Sequence, residues 1–261
     1  MRFAVVGHVE WVEFVEVDHV PAPGQIAHGE DSWSEPAGGG AVVAAQLLKL
    51  AGACDFFTAL GNDEIGRRSE ARLRELGLGL DVQWFGQTRR ALTHVDRNRE
   101  RTITTIGEKL RPRGPLPLAG YDAVFFVAGD VPALRSARES RFLAATPREL
   151  DTLLAGGVPL DLLVGSATDR GERYEEGLDA AVVCGTEGAR GGVANGVRYE
   201  AVEPPGPLVD AYGAGDSFAA ALCFALARGD SLPDALELAA RAGAAVVTGR
   251  GPYSAQISLQ V

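Results

Sequence analysis

The stretch L-V-D-A-Y-G-A-G-D-S-F occupies residues 208–218 and leads into a run of small and apolar residues that ends at Gly229. A helix that is apolar on nearly every face is typical of the middle of a protein. Gly213, Ala214 and Gly215 leave almost no side chain at the start of this helix, where unpaired N–H groups and the helix dipole attract anions. The stretch therefore predicts an anion-binding turn that opens directly into a buried helix.

Asp216 lies at this turn. Its carboxylate would repel a bound anion, so its presence at an anion site suggests a chemical role. One such role is that of a general base, which takes the proton from a hydroxyl that attacks a γ-phosphoryl group. The N–H groups of the turn would then stabilise charge on the transferring group. The alternative is an ordinary helix N-cap, a position that aspartate favours. Spacing alone leaves both interpretations open.

The composition is that of a globular protein, since 46% of the 261 residues are hydrophobic and 23% are charged. This length suits one large α/β domain. The net charge of −10 argues against a nucleic-acid partner or an anionic membrane as partner. No run of about 18 apolar residues is present, so we expect no membrane span. The three cysteines lie in apolar runs and indicate buried thiols in a reducing compartment, so we expect a cytoplasmic protein.

Several catalytic motifs are missing. The two lysines, Lys49 and Lys109, are each followed by leucine, so the sequence has no G-K-[ST] phosphate loop. It has no G-x-S-x-G and no S-x-x-K, and its four histidines lack metal-site spacing. No G-x-G-x-x-G follows the first apolar run, which disfavours a dinucleotide-dependent oxidoreductase. Serine hydrolases and zinc hydrolases are excluded on the same grounds.

From residue 121 onward, apolar runs such as A-V-F-F-V-A-G and L-D-L-L-V-G alternate with helical patterns. This rhythm predicts a parallel sheet covered on both faces, and ligands of such sheets lie beyond the carboxyl ends of the strands. That rule places Asp130 at the active edge. Two other segments, about 9–35 and 82–107, mix acids with aromatic and β-branched residues, and the second includes a predicted hairpin around residues 97–100.

The motif D-A-Y-G-A-G-D-S-F resembles the D-T-x-G-A-G-D signature of the ribokinase-like (PfkB) carbohydrate kinases, with Ala211 where threonine is usual. The resemblance covers essentially the whole chain in the same order. It implies a ribokinase-like three-layer α/β/α sandwich with a mostly parallel central sheet. It also implies a small β-sheet lid, formed by about 9–35 and 82–107, within a single domain of residues 1–261.

The resemblance extends to the nucleotide side of the family's site. C-G-T-E-G-A-R-G-G is similar to the T-x-G-x-x-G loop, which implies nucleotide contacts from Thr186, Gly188 and Gly191. The family's N-x-x-E segment is replaced at Ser166 and Asp169, which implies that Asp169 organises Mg²⁺ through water, with a helix-cap role as the alternative. Asp210 would be the side-chain ligand of a monovalent cation such as K⁺.

On the acceptor side, the resemblance implies sugar contacts from a Gly-Gly turn, a carboxylate and the lid. The alternatives are a flexible loop for the glycines and an exposed strand arginine for Arg101. Three usual polar contacts are changed, since Glu10 and Val12 replace Asn and Asp, and Val43 replaces a second Asn. The implied acceptor-binding residues are Gly38, Gly39, Gly40, Asp130, Glu10 and Arg101.

The leading hypothesis is an ATP-dependent kinase that phosphorylates a hydroxyl of a small sugar or sugar-like molecule, with Asp216 as base and residues 213–216 as anion hole. Its cofactors would be ATP, Mg²⁺ and a monovalent cation. A nucleoside kinase of the same fold is one alternative. A second is a ligand-binding protein on this scaffold with weak catalysis, which the replaced sugar contacts motivate. A homodimer through the lid is a further expectation, because an open lid edge would otherwise invite aggregation.

Overall fold

The computed structural model describes residues 1–172 and 177–259. Helices and strands alternate through most of this part of the chain. The strands are β1 (Phe3–His8), β2 (Glu10–Val17), β3 (Gly29–Ala37), β4 (Asp55–Leu60), β5 (Gly79–Trp84), β6 (Arg90–Val95), β7 (Arg101–Ile106), β8 (Ala123–Phe126), β9 (Phe142–Ala145), β10 (Leu160–Ser166), β11 (Ala180–Thr186), β12 (Gly192–Ala194) and β13 (Val197–Tyr199). The α-helices are α1 (Gly39–Ala51), α2 (Glu64–Glu75), α3 (Val131–Ala137), α4 (Leu150–Gly156), α5 (Ala214–Arg228) and α6 (Leu232–Val246).

The larger sheet has nine strands in the order β13-β12-β11-β10-β9-β8-β1-β4-β5. Every pairing from β11 across to β5 is parallel, and β12 and β13 extend one edge in antiparallel fashion. This confirms the mostly parallel central sheet. The carboxyl ends of β1, β8, β9, β10 and β11 consequently meet along one edge.

Neighbouring residues of the central strands pack on opposite faces of this sheet. Val5 and Phe125 join a cluster that includes residues of α1, α5 and α6. Val6 and Phe126 join a second cluster with residues of α3 and α4. Strands covered on both faces are apolar at every position, which explains the runs F-A-V-V and A-V-F-F. The two clusters form the predicted three-layer α/β/α sandwich.

Helix α5 is the buried helix that the opening stretch predicts. Residues 217–225 are all buried, and the helix packs against α1 and α6. Phe224 stacks on Phe3 of β1 with ring centroids 5.3 Å apart. Gly229 ends the helix in the left-handed conformation at φ 96°. Within residues 1–172 and 177–259, no helix is long and apolar enough to cross a membrane.

A second sheet of four strands, in the order β3-β2-β6-β7, forms the lid. The predicted hairpin around residues 97–100 joins β6 to β7, and β2 pairs with β6 in parallel, so the lid is a mixed sheet. The bounds predicted for the lid, about 9–35 and 82–107, differ from the observed strands at the end of the first segment and at the start of the second. Residues 82–84 belong to β5, which pairs with β4 in the central sheet, and β3 continues to Ala37.

The lid is attached to the body through a shared apolar cluster. Phe14 of β2 packs with Val42 of α1 and with Tyr212, which precedes α5. The rings of Phe14 and Tyr212 meet edge to face, 5.1 Å apart. The Tyr212 hydroxyl also accepts the N–H of Gly38, 3.2 Å away, at the start of α1. Lid, α1 and the turn before α5 therefore form one packed unit.

The start of α1 lies unusually close to β1. A Cβ atom at Gly40 would stand 2.6 Å from the carbonyl oxygen of His8 and 2.8 Å from its nitrogen. Both atoms are backbone, so neither can rotate away. Only glycine allows the helix to approach the strand this closely.

We expect Gly40→Ala to lower the free energy of unfolding by about 2 kcal/mol, because the added methyl group overpacks a rigid contact. This loss should outweigh the higher helix propensity of alanine. Urea unfolding would measure it. Gly215→Ala is the matched control, because no atom lies within 4 Å of a Cβ placed at Gly215. A Gly40→Ala protein with the stability of the control would contradict the close approach.

Candidate active site

A cavity of about 1000 Å³ lies at the carboxyl edge of the central sheet, with the lid above it. Its wall contains residues from the ends of β1, β9, β10 and β11, from the lid, and from the starts of α1 and α5. The charged and polar side chains that line it are His8, Glu10, Arg89, Arg101, Thr105, Lys109, Thr146, Arg148, Ser166, Thr168, Asp169, Glu172, Thr186, Tyr212 and Asp216. Its volume suits a ligand of nucleotide or drug size.

The start of α5 forms part of this wall. Gly213 is the N-cap residue, with φ 82° and no side-chain capping bond, and Gly213 and Gly215 line the cavity. The first N–H groups of a helix have no partner within the helix, so those of residues 214–216 are available to an anion. Asp216 lies inside the first turn. The interpretation of Asp216 as the N-cap is therefore wrong, because Gly213 occupies that position.

The environment of Asp216 raises its pKa to about 6. Burial is the main cause, and the negative charge of Glu172 adds to it, while Arg101 and Arg148 act in the opposite direction. One carboxylate oxygen of Asp216 would be 3.1 Å from a Cβ at Gly39. The glycine therefore leaves room for the carboxylate at the base of the cavity. A group with this pKa accepts protons far better at neutral pH than an ordinary aspartate does.

The predicted glycines at the start of α1 divide into two groups. Gly38 and Gly39 line the cavity, and Gly38 has a positive φ of 87° that favours glycine. Gly40 does not line it, because it faces the backbone of β1. The loop interpretation is wrong, since residues 39 and 40 already belong to α1.

Glu10 begins β2 and lies at the end of the cavity next to β1. Its carboxylate is 3.2 Å from the guanidinium of Arg89 and 3.7 Å from Nε2 of His8. Burial raises the pKa of Glu10, against the positive charges of Arg89, Lys109 and Arg148. Val43 also lines the cavity, whereas Val12 is buried in the apolar cluster of the lid.

Arg101 reaches from the lid to the turn before α5. Its guanidinium donates to the carbonyl of Ala211 and lies 5.7 Å from the ring centre of Tyr212. It also lines the cavity. Arg101 is therefore more than an exposed strand arginine, because it connects the first residue of β7 to the loop before α5.

Of the three residues predicted to contact the nucleotide, only one lines the cavity. Thr186 ends β11 and lines the cavity. Gly188 begins a short 3₁₀ turn between β11 and β12, and Gly191 follows its last residue. Their φ angles are positive, 61° and 77°, and neither residue lines the cavity. A Cβ at Gly191 would stand 2.1 Å from the carbonyl oxygen of Tyr199, so this glycine is needed for the turn itself.

Asp169 lines the cavity, but two residues that the sequence interpretation missed accompany it. Arg148 donates to Asp169 at 2.7 Å and to Glu172 at 2.6 Å, and Glu172 also accepts the N–H of Ser166. Hydrogen bonds from Arg148 and from the N–H of Gly171 lower the pKa of Asp169. Both missed residues follow central strands closely, so the rule about carboxyl ends could have found them.

Two predicted carboxylates lie outside the cavity lining. Asp130 caps α3 by accepting the N–H of Ala133 and also accepts the N–H of Gly114, so the structure does not bring it to the acceptor site. Asp210 is 1% exposed and accepts the N–H groups of Tyr212 and Gly251. In the part of the chain that the structure describes, no three histidine, cysteine or acidic side chains are grouped to hold a metal ion.

Comparison with known proteins identifies the family. The model of the pfkB family carbohydrate kinases matches residues 2–129 and 161–258, so the chain belongs to that family of kinases. A search of curated proteins found no match.

Solved structures agree in fold across nearly the whole chain. The nucleoside kinase of Methanocaldococcus jannaschii is 17% identical with a TM-score of 0.77, and the alignment covers 99% of this chain and 95% of that one. The ribokinase of Cryptococcus neoformans in complex with ADP is 21% identical, with a TM-score of 0.78 and coverage of 99% and 97%. The Arabidopsis thaliana ribokinase complexed with ribose and ATP is 20% identical, with a TM-score of 0.74 and coverage of 98% and 96%.

We expect Asp216→Asn to stabilise the protein at pH 8 by about 1–3 kcal/mol. The carboxyl pKa is about 6 in the fold and near 4 in the unfolded chain, so the folded state binds more protons between these values. Stability due to this group therefore falls as pH rises through that window. Urea unfolding at pH 8 and pH 4 would test this, and an equal gain at both values would contradict the raised pKa.

Proposed function

We propose that the protein is an ATP-dependent kinase that phosphorylates a hydroxyl group of a small sugar or sugar-like molecule. The observation that carries this proposal is the position of Asp216, a carboxylate of raised pKa in the same helix turn as a set of unpaired N–H groups. A general base and an anion site then serve one reaction. Both lie on the wall of a cavity covered by the lid.

The nucleotide would bind at the β11 side of the cavity. Thr186, Gly188 and Gly191 lie there, and related folds have been solved with ADP and with ribose and ATP. Its phosphates would extend toward the start of α5. The fit to a polyphosphate rests on the free N–H groups of residues 214–216 and on the positive side chains of Arg148 and Arg101.

The donor set suits a loosely held Mg²⁺. Asp169 and Glu172 are two carboxylates on the cavity wall, and both are already bonded to Arg148. Mg²⁺ usually keeps several waters and binds oxygens of the substrate's phosphates, so two carboxylates from the protein are sufficient. When bound, Mg²⁺ would neutralise charge on the phosphates. The assignment of Asp210 to a monovalent cation such as K⁺ stays a prediction.

In the proposed reaction, Asp216 accepts the proton of the acceptor hydroxyl while the oxygen attacks the γ-phosphoryl group, the bond from that group to the β-phosphate breaks, and ADP leaves. The N–H groups of the turn stabilise the charge on that group. Gly38, Gly39 and Glu10 would orient the acceptor. Arg101 holds the lid against the turn before α5 and thereby excludes water, so that transfer to the acceptor is favoured over hydrolysis.

Two alternatives concern the acceptor and the chemistry. A nucleoside kinase shares the fold, and the relative from Methanocaldococcus jannaschii carries that name. A ligand-binding protein with weak catalysis would explain why Val12 and Val43 stand where polar sugar contacts are expected. The raised pKa of Asp216 at the anion site favours an enzyme, because a binding protein has no use for a buried base. A dimer through the lid, whose edge strand β7 is exposed along its length, stays a prediction.

We expect Asp216→Asn to reduce kcat on the order of a thousandfold while ATP binding is retained, because the amide keeps the shape but cannot accept the proton. ADP release in the presence of the best acceptor from a panel of sugars and nucleosides would measure this. Calorimetry would give the affinity for ATP.

Three outcomes distinguish the alternatives. Activity that survives in Asp216→Asn would exclude Asp216 as the base. A nucleoside as the best acceptor would favour the nucleoside kinase. Tight binding of one acceptor without turnover in the wild-type protein would favour the ligand-binding protein.

We also expect kcat/KM to fall about tenfold for each pH unit below 6, since only the ionised form of Asp216 accepts a proton. The pKa of about 6 in the fold sets the position of this acid limb. Steady-state rates between pH 4.5 and 8 would locate it, with ATP affinity measured over the same range. An acid limb near pH 4, or one that follows ATP affinity alone, would contradict the assignment.

A further inference from the structure

We propose that the acceptor carries an anionic group, a carboxylate or a phosphate, which binds between Arg89 and Lys109. This inference rests on the proposed kinase function and specifies its substrate class. It is based on the position of the two cations, on the charge that surrounds them, and on the polar contacts that the cavity lacks.

The two cations lie on the acceptor side of the cavity. Arg89 directly precedes β6 of the lid and forms its ion pair with Glu10 at 3.2 Å. Lys109 follows β7 and contacts Glu149 at 2.9 Å. Both line the cavity, and their side chains are only 17% and 14% exposed. Glu10 adjoins β1, and three strands separate β1 from β11, where the nucleotide loop begins.

The local carboxylates do not fully balance these charges. Glu149 is buried and is shared by two cations, Lys109 and Arg111, each 2.9 Å away. Arg89 has one partner, Glu10, and its Nε atom is buried with no hydrogen-bond partner in the described residues. The two largely buried cations, Arg89 and Lys109, therefore have two carboxylates, one of which also pairs with the half-exposed Arg111. A buried charge without full compensation is costly unless a ligand completes it.

The pKa of His8 is shifted in the direction that nearby positive charge favours. His8 is 7% exposed and lies next to Glu10 at the end of β1. Burial lowers its pKa well below the ordinary value, and the charges that add to this shift, from Lys109, Arg89, Arg111 and Arg148, are all positive. These cations lie near one end of the cavity in a chain whose net charge is −10. Lys109 is one of only two lysines in the sequence.

Valine occupies two positions where polar sugar contacts are expected. Val43 lines the wall, and Val12 is buried in the lid cluster, so neither supplies a hydrogen bond. Phe125 and Val127 also line the cavity and belong to the same apolar cluster as Val43. Charge-assisted bonds from a guanidinium and an ammonium are stronger than neutral ones and would replace the missing contacts. An anionic polyol therefore fits this end better than a neutral polyol.

The first experiment compares acceptors that share a carbon skeleton and differ in one terminal group, which is neutral or anionic. Glucitol, gluconate and glucitol 6-phosphate form one set, and the corresponding four- and five-carbon compounds form two more. We expect an anionic member to exceed its neutral counterpart in kcat/KM by on the order of a hundredfold. Preference for the carboxylate or for the phosphate would identify which anion is recognised. Equal or better rates with the neutral members would overturn the proposal.

The second experiment tests the two residues. Lys109→Met and Arg89→Met should each raise KM for the preferred anionic acceptor about tenfold or more, with KM for ATP unchanged. Lys109→Arg should restore most of the affinity, because it restores the charge. Arg90→Met is the matched control, since Arg90 is exposed and pairs with Glu13 on the lid. Thermal unfolding of each variant would establish that it folds.

The outcomes separate this proposal from the proposed function. A higher KM for ATP alone would overturn the inference, because the cations would then bind the nucleotide. An anionic compound could raise the melting temperature of the wild-type protein without being turned over. If Lys109→Met abolishes that shift, the anion site stands and the kinase function fails. If no anionic compound is turned over or raises the melting temperature, the inference is overturned.

Discussion

The packing of helix α5 against α1 and the central sheet is the constraint on which the site depends. Because α5 is buried, its first turn has a fixed position, and Asp216 and the free N–H groups are presented to one small space. Burial also raises the pKa of Asp216. The packing that stabilises the fold would therefore also prepare Asp216 for the proposed proton transfer.

Close backbone contact supports this arrangement on the other side of the cavity. Gly40 lets α1 approach β1, and Gly39 leaves room for the carboxylate of Asp216. The cavity thus lies where the strand ends, the helix starts and the lid meet. The groups that line its two ends differ. One end offers helix N–H groups and a glycine turn, which suit a phosphate chain. The other is lined by charged side chains from the lid and β1.

The sequence predicted best those features that depend on local pattern. The buried helix, its Gly213 turn and the alternating strands follow from composition and periodicity. The texture of the two β-rich segments indicated strands, and the family resemblance implied that they form a lid. The bounds of the lid were less accurate, because Val82 and its neighbours pair with β4, and pairing is not a local property. Asp130 illustrates another limit. Its position at the sheet edge was right, but the direction of its side chain depends on the start of α3, which it caps.

Residues that act through tertiary contacts were missed altogether. Arg148 and Glu172 are 24 positions apart and meet only because β9 and β10 are neighbours in the sheet. Lys109 was noted in the sequence only as one of two lysines, since nothing in the flanking residues indicates that it enters the cavity.

The shared cluster of Phe14, Val42 and Tyr212 has a consequence for motion. Because the apolar side of the lid belongs to the same cluster as α1, the lid cannot rotate away from the body without exposing that cluster to water. Strand β7 is the least packed part of the lid, since its residues are exposed along their whole length, and Arg101 still connects its first residue to the loop before α5. Tyr212, at the variable position of the motif, packs against the lid and bonds to the start of α1, so these parts cannot separate without exposing apolar side chains.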